Sequence, residues 1–213
     1  VMGAVTLTLL TGLKARTLKV SAPLLFGLGA VAMLTLGVAS HILTPLTDLH
    51  LGGTVYEEAE FTFIAYSIVL AAMGGVTYWM PKLTGRKLPN IPTLLLALGA
   101  TGAAALTSMP YLISGFNNQP GLFGAGSAGA ASSGWTHEAA PKLLNTLTGL
   151  GHGLMVLTVL GFVALADLAH FRGQPAGDDP WDGQTLEWAT ASPAPAGNFS
   201  DTPIVPSAEP LAD

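Results

Sequence analysis

The chain of 213 residues contains no cysteine and very little charge. Without cysteine, disulfides, iron–sulfur ligation and thiolate zinc sites are excluded. Only 10% of the residues are charged, whereas soluble domains carry about 25%, and half of the chain is hydrophobic. The net charge of -5 comes mainly from acids in the C-terminal tail and one loop, so nucleic acid is not an expected partner. This composition predicts a protein embedded in a lipid bilayer.

Long apolar runs predict four membrane-spanning helices. A helix needs about 20 mostly apolar residues to cross a bilayer. The runs at residues 20–47, 61–81, 91–115 and 143–166 meet this requirement, and they are continuous rather than alternating, unlike β-barrel strands. Residues 1–13 are too few to cross and predict the end of a truncated fifth span, so we expect upstream sequence or a neighbouring chain that supplies it.

The chain divides into two regions of different composition. Residues 1–172 are predicted to form an all-α, polytopic transmembrane bundle with four full spans and one partial N-terminal span. Residues 116–135 are rich in Gly, Ala and Ser and predict a flexible outer loop. Residues 173–213 are polar and Pro-rich, which predicts an extended tail that is disordered without a partner.

The basic residues predict the orientation of the bundle. Alternating spans place all but one of the eight Lys and Arg residues on one side, and Lys142 alone on the other. Cytoplasmic loops carry an excess of Lys and Arg, so the C-terminal tail is predicted to be cytoplasmic. The residues on that side are Lys14, Arg16, Lys19, Lys82, Arg86, Lys87 and Arg172.

Three short motifs link the chain to a known family. Residues 78–86 read YWMPKLTGR, residues 180–188 read PWDGQTLEW, and residues 11–14 read TGLK. They resemble, in the same order, the inner end of helix ten, the tail and the inner end of helix eight of subunit I of the haem–copper (cytochrome c) oxidases. The resemblance spans nearly the whole chain and corresponds to the C-terminal portion of that subunit. It implies a bacterial plasma membrane, with other respiratory oxidase subunits as partners.

One of these motifs has two interpretations. By resemblance, Thr11 and Lys14 match residues of a proton-entry pathway, and a polar pathway is one reason to keep an amine near the membrane interior. From the residues alone, Lys14 extends its ammonium group to the cytoplasmic surface while its stem stays in lipid. Both interpretations remain open.

The chain departs from the family at the positions that bind haem. In the family, helix ten begins with a His-Asp pair and carries His-Phe-His about eight residues later, where two histidines bind haem iron. Aligning from His50 puts Glu58 and Glu60 at the ligand positions, and aligning from the Trp-Pro-Lys motif puts Ala59 and Phe61 there. Neither alignment supplies an imidazole, which is a usual axial ligand of haem.

Further haem-binding groups of the family are missing. Leu51 replaces the Asp that helps to hold a magnesium ion and a propionate, while His50 could still meet a propionate. The family's Arg-Arg pair has no counterpart, because no arginine lies between Arg86 and Arg172. We therefore expect this chain to bind no haem, and expect haem and copper in a partner subunit.

The glutamates at the start of the second span have a structural and a functional interpretation. Thr54 and Glu57 fit a capping box, and Glu58 and Glu60 suit the positive end of a helix. Alternatively, Glu57, Glu58 and Glu60, with Asp48 nearby in sequence, supply the oxygen ligands that Ca²⁺ or Mg²⁺ prefers. Sequence spacing does not decide between them.

Lone histidines and small residues occur within the spans. His41 and His152 each stand alone among apolar residues, and we expect each to be a neutral imidazole bonded to a neighbouring helix. Glycine and alanine at residues 27–29, 99–105 and 149–153 predict surfaces of close helix contact. These small residues could also close the space that haem occupies in the family.

Three functions are compatible with these observations. The leading hypothesis is a non-catalytic subunit I-like component of an oxidase complex or respiratory supercomplex, with a structural or assembly role. The first alternative is one part of a split catalytic core that transfers electrons to oxygen and takes up protons through Lys14. The second is an ion-conducting or transporter-like bundle that uses Lys14, His152 and the glutamates.

Overall fold

Four long helices form most of the part of the chain that the structure describes. The computed structural model describes residues 20–46, 51–121, 141–183, 185–199, 202–205 and 207. All four predicted spans are confirmed as helices long and apolar enough to cross a membrane. The partial span over residues 1–13 and most of the Gly-rich loop lie outside the described residues. The helices are α1 (Ala22–Leu46), α2 (Tyr56–Thr84), α3 (Asn90–Phe116) and α4 (Lys142–Arg172).

Two helices, α2 and α4, extend well beyond the predicted spans because their ends carry charge. α2 includes Glu57 and Glu58 in its first turn and Lys82 in its last turn. Each of these charges is opposite in sign to the partial charge of that helix end, so it stabilises the helix. A window restricted to uncharged residues therefore misses both ends of α2. Gly85 then ends the helix in the left-handed conformation, with φ of 69°, and its N–H donates to the carbonyl of Pro81 at 2.8 Å.

The helices pack as two antiparallel pairs that share a central contact. α1 packs mainly against α2 and α3 mainly against α4, while α2 contacts α3 and α1 also reaches α3. We name the two ends of the bundle by their connections. The tail end holds the starts of α1 and α3 and the ends of α2 and α4, and the loop end holds the opposite termini.

The face of α3 inside the bundle consists of small residues, whereas many large apolar side chains lie on the outside of the bundle. Residues 97, 100, 103 and 104 of α3 are all alanines, and all are fully buried. Large side chains face outward instead, including Phe61 at 70% and Leu157 at 68% exposure. This arrangement suits a lipid environment, in which small residues let helices approach and large apolar residues contact acyl chains.

The predicted glycine surfaces are only partly correct. A Cβ built on Gly29, Gly99 or Gly151 would contact a neighbouring helix, but one on Gly27 or Gly149 would meet nothing within 4 Å. Residues two apart lie about 200° apart around a helix, so a Gly-x-Gly pair cannot face one neighbour. The same open surroundings apply to Gly102 and Gly153.

The tail packs against its own bundle. A two-stranded antiparallel sheet joins β1 (Arg86–Lys87) to β2 (Gln174–Pro175), and a short 3₁₀ helix covers Leu186–Ala189. Trp188 of this helix is buried at 2% exposure. Much of the described tail is extended, as expected. It contacts the bundle of its own chain, at the end where α2 and α4 finish.

Replacing Gly151 with Ala tests the close contact of α3 with α4. A Cβ at Gly151 would lie 2.6 Å from the backbone nitrogen of Thr107, so the helices must separate, at a cost of about 1–3 kcal/mol. Gly149→Ala is the matched control, because it gains the same helix propensity in open space. Thermal unfolding in detergent, followed by circular dichroism, measures the difference. Equal unfolding midpoints for the two variants would contradict this packing.

Candidate functional site

Backbone hydrogen bonds hold the acidic start of α2 against the segment that follows α3. Val55 donates its N–H to the carbonyl of Gln119 at 2.9 Å, and Gly121 donates to Gly53 at 2.9 Å. Thr54 forms an antiparallel bridge with Pro120 between these two bonds. The position of the α2 glutamates therefore depends on contacts with the end of α3.

The predicted capping box at the start of α2 is wrong. The N-cap is Val55, without a side-chain capping bond. The backbone N–H of Thr54 donates to the carbonyl of Leu51 at 3.3 Å, instead of meeting the side chain of Glu57. The Thr54 hydroxyl donates to that same carbonyl at 2.7 Å and accepts the N–H of Tyr56 at 3.2 Å. A tight turn at Leu51–Thr54 thus replaces the expected reciprocal bond.

Glu60 links α2 to α1. Its carboxylate accepts a hydrogen bond from the Thr44 hydroxyl at 2.8 Å and lies 3.2 Å from Nδ1 of His41. The His41 side chain is 78% exposed, so only its edge toward Glu60 contacts the bundle. The predicted bond of His41 to a neighbouring helix is confirmed, and its partner is one of the candidate glutamates.

The three glutamates have separate surroundings. Glu57 is exposed, Glu60 faces α1, and the carboxylate of Glu58 lies against Gly121, where a Cβ would be 2.8 Å from it. Across the described residues, no group of three acidic or histidine side chains could hold a metal ion. Asp48 and His50 lie outside the described residues, so the predicted Ca²⁺ or Mg²⁺ site stays a prediction.

The residues at the haem-ligand positions do not fit axial ligation. In one alignment the positions are Ala59, which is fully buried and has only a methyl group, and Phe61, which is 70% exposed. In the other alignment they are Glu58 and Glu60, and the Glu60 carboxylate already accepts a hydrogen bond from Thr44 of α1. A carboxylate is an uncommon axial ligand, and neither alignment offers a nitrogen donor. No haem chemistry can be derived from these side chains.

His152 belongs to a small polar cluster between three helices. Its Nδ1 lies 2.5 Å from the hydroxyl of Tyr66 on α2, which confirms the predicted bond to a neighbouring helix. The rings of Tyr66 and Tyr111 both meet the imidazole edge to face, with centroids 5.9 and 6.1 Å away. Sequence reasoning missed both tyrosines, although a tyrosine inside an apolar span signals a need for a polar partner.

At the tail end, the ammonium group of Lys82 is buried by the tail. Its Nζ donates to the carbonyl oxygens of Thr190 at 2.7 Å and Asp178 at 3.0 Å, and the residue is 6% exposed. The same group lies 5.3 Å from the centre of the Trp188 ring, within range of a cation–π interaction. Lys82 thus binds the tail instead of extending into water, a role that sequence reasoning missed.

Aromatic rings from α2 and the tail stack around this lysine. Trp181 stacks on Tyr78 with ring centroids 5.9 Å apart, and Trp188 stacks on Trp79 at 6.0 Å. The indole N–H of Trp181 also donates to the carbonyl of Tyr78 at 3.0 Å. The two sequence motifs that carry most of the family resemblance are therefore one structural unit, although they lie about a hundred residues apart.

Close backbone contacts complete this unit. A Cβ at Gly85 would lie 2.9 Å from Cδ of Pro193, so the tail fits only against a glycine there. Ala176 donates its N–H to the carbonyl of Gly85 at 3.0 Å, and the guanidinium of Arg86 donates to Gly173 at 2.5 Å. The proton-pathway candidates Thr11 and Lys14 lie outside the described residues, so their relation to this end is untested.

Comparison with known proteins gives a consistent set of relatives. No protein-family model matches the chain. A Streptomyces coelicolor protein, provisionally named a cytochrome c oxidase subunit 1-beta, is 29% identical over 92% of this chain and 34% of its own length. Cytochrome c oxidase subunit 1 of Thermostichus vulcanus is 25% identical over 88% and 33%. Heme-copper oxidase subunit I+III of Aeropyrum pernix is 29% identical over 86% and 21%.

The fold and these relatives indicate the same class of protein. Four membrane-spanning helices make it a multi-pass membrane protein. Over nearly its whole length it is similar to subunit I of the cytochrome c oxidases, so it is a subunit I-like chain. The chain spans about one third of the length of the first relatives it matches.

Lys82→Met tests whether the buried ammonium holds the tail. The substitution keeps an unbranched stem of similar length but removes the ammonium group, and it leaves the carbonyls of Asp178 and Thr190 without this donor. Hydrogen bonds to a charged group contribute about 1.5–3 kcal/mol each, so we expect limited proteolysis of the tail to accelerate on the order of tenfold or more. Lys142→Met, at an exposed lysine of the loop end, is the control. Unchanged cleavage in the Lys82 variant would contradict this anchoring role.

Proposed function

We propose that this chain is a non-catalytic, subunit I-like component of a respiratory oxidase complex, with a structural or assembly role. The observation that carries the proposal is the chemistry of the ligand-equivalent positions. In one alignment these positions are Ala59, which is buried, and Phe61, which faces outward. In the other they are Glu58 and Glu60, and Glu60 is hydrogen-bonded to α1. In this proposal haem and copper reside in a partner subunit, and this chain binds neither.

The packing of the tail end supports a role in assembly. A buried lysine, stacked aromatic rings and a close glycine contact hold the tail against the bundle, and none of these contacts needs haem. Large apolar side chains on the outer faces of the helices provide a surface for lipid or for other membrane subunits. Through these features the chain would pack beside oxidase subunits of the complex or of a respiratory supercomplex, without taking part in electron transfer.

We further propose a bacterial plasma membrane location with a cytoplasmic tail. At the tail end lie Lys82, Arg86, Lys87 and Arg172, whereas Lys142 begins α4 at the loop end. An excess of Lys and Arg marks the cytoplasmic side of membrane proteins. The relatives in Streptomyces and Thermostichus support a bacterial setting.

A split catalytic core is the second candidate function. The observation that favours it is the packing of the tail on α2, because it joins the two motifs that resemble a catalytic subunit I. In that case a second chain supplies the missing helices and the iron ligands, and Lys14 takes up protons. The two candidates differ in whether this chain holds haem.

A haem assay on the purified chain and on its native complex separates them. We expect no haem in a pyridine haemochrome assay of the chain alone, because no imidazole stands at the ligand-equivalent positions. We expect an ordinary reduced-minus-oxidised haem spectrum in the complex. Stoichiometric haem on the chain would overturn the non-catalytic proposal, and loss of that haem in Glu58→Gln/Glu60→Gln would identify the carboxylates as its ligands.

A further inference from the structure

A cavity of about 710 Å³ opens at the tail end, between the start of α3, the end of α4 and the tail. Apolar side chains such as Ile91 and Leu168 form part of its wall, and Trp181 of the tail forms another part. Two cationic side chains, Lys87 and Arg172, also line it. A cavity with a basic part and an apolar part is suited to an amphipathic anion.

The cavity adjoins an apolar groove along α3 and α4. The groove has a volume of about 460 Å³ and shares Pro92 and Leu165 with the cavity. Gly99 and Gly161 form its shallow centre, since each lacks the side chain that would fill it. From Pro92 to Gly99 the groove follows about 10 Å of helix, which is about two thirds of the depth of one leaflet's hydrocarbon.

The two cations are available to a ligand. Lys87 and Arg172 are both exposed, and neither forms an ion pair with an acidic side chain of the described residues. The nearby acids of the tail accept backbone N–H groups instead. Asp178 accepts from Ser192 at 3.0 Å, and Asp179 accepts from Gly183 at 3.0 Å.

We infer that this cavity and groove bind one anionic phospholipid. Lys87 and Arg172 hold the phosphate of the headgroup, and one acyl chain lies in the groove past Gly99 and Gly161. The tail end lies at the membrane surface, where basic pockets between helices bind anionic headgroups. Trp181 lies at the same level, as tryptophan does at membrane interfaces. This inference is independent of whether the chain binds haem.

The shape of the site favours a lipid over a free phosphate. A free phosphate would use the two cations but would leave the groove empty. A phospholipid uses both parts, so substitutions in the charged part and in the apolar part should each weaken its binding. A neutral lipid, in contrast, would gain from the groove alone.

Native mass spectrometry of the full chain from detergent tests the site. The chain is supplied with phosphatidylglycerol or phosphatidylcholine, and retained lipid is counted. We expect one phosphatidylglycerol to be retained in preference to phosphatidylcholine. We expect Lys87→Gln/Arg172→Gln to lower phosphatidylglycerol retention about tenfold or more, because each basic residue contributes substantially to binding an anionic headgroup. Lys142→Gln, at the loop end, is the charge control and should change nothing.

Gly161→Leu tests the groove without altering charge. A Cβ at this position would meet only Leu96, at an ordinary distance of 3.5 Å, so a side chain can begin there without a backbone clash and extend into the groove. We expect lower retention of both lipids, whereas Gly102→Leu, in open space on α3, should retain them. Equal retention of the two lipids by the original chain would overturn the inference. Displacement of the lipid by inorganic phosphate, with no effect of Gly161→Leu, would also overturn it and indicate a free-anion site.

Discussion

The burial of the Lys82 ammonium constrains the whole tail end of the bundle. A charged amine taken out of water is costly unless hydrogen-bond acceptors replace its hydration. Here those acceptors are the backbone carbonyls of Asp178 and Thr190, with the face of Trp188 alongside. The tail can supply them only along one path, which also sets the stacking of its two tryptophans and the close approach to Gly85.

Within the bundle, polar groups are mostly satisfied by their own helices. The hydroxyl groups of Thr77, Thr107 and Thr158 each donate to the carbonyl four residues earlier, at 2.7 to 2.9 Å. Such bonds need no neighbouring helix, so these hydroxyl groups do not determine which helices pack together. The contact of Tyr66 with His152 is different, because it joins two helices through side chains. The rest of the interior combines buried alanines of α3 with large apolar side chains such as Phe26, Phe63 and Leu70.

The existence of the four helices could be predicted from sequence, but their ends and partners could not. A run of about 20 apolar residues is sufficient to indicate a membrane-spanning helix, so the sequence indicates all four described helices. Lys82 shows the limit, because its acceptors come from residues about a hundred positions away and are backbone atoms with no sequence signature. Glu60 is similar, since its pairing with Thr44 depends on the register of α1 against α2. Gly27 and Gly29 show that small residues reveal close contact only after the helix faces are known.

The separation of Lys82 from its acceptors also orders events during synthesis. Thr190 follows Lys82 by 108 residues, which corresponds to about 5–20 s of translation at about 5–20 residues per second. During that interval the ammonium group has only water and headgroups as partners, while α3 and α4 are still being made. The tail end is therefore the last part of the bundle to close, and its closure marks a chain in which all four helices are already in place.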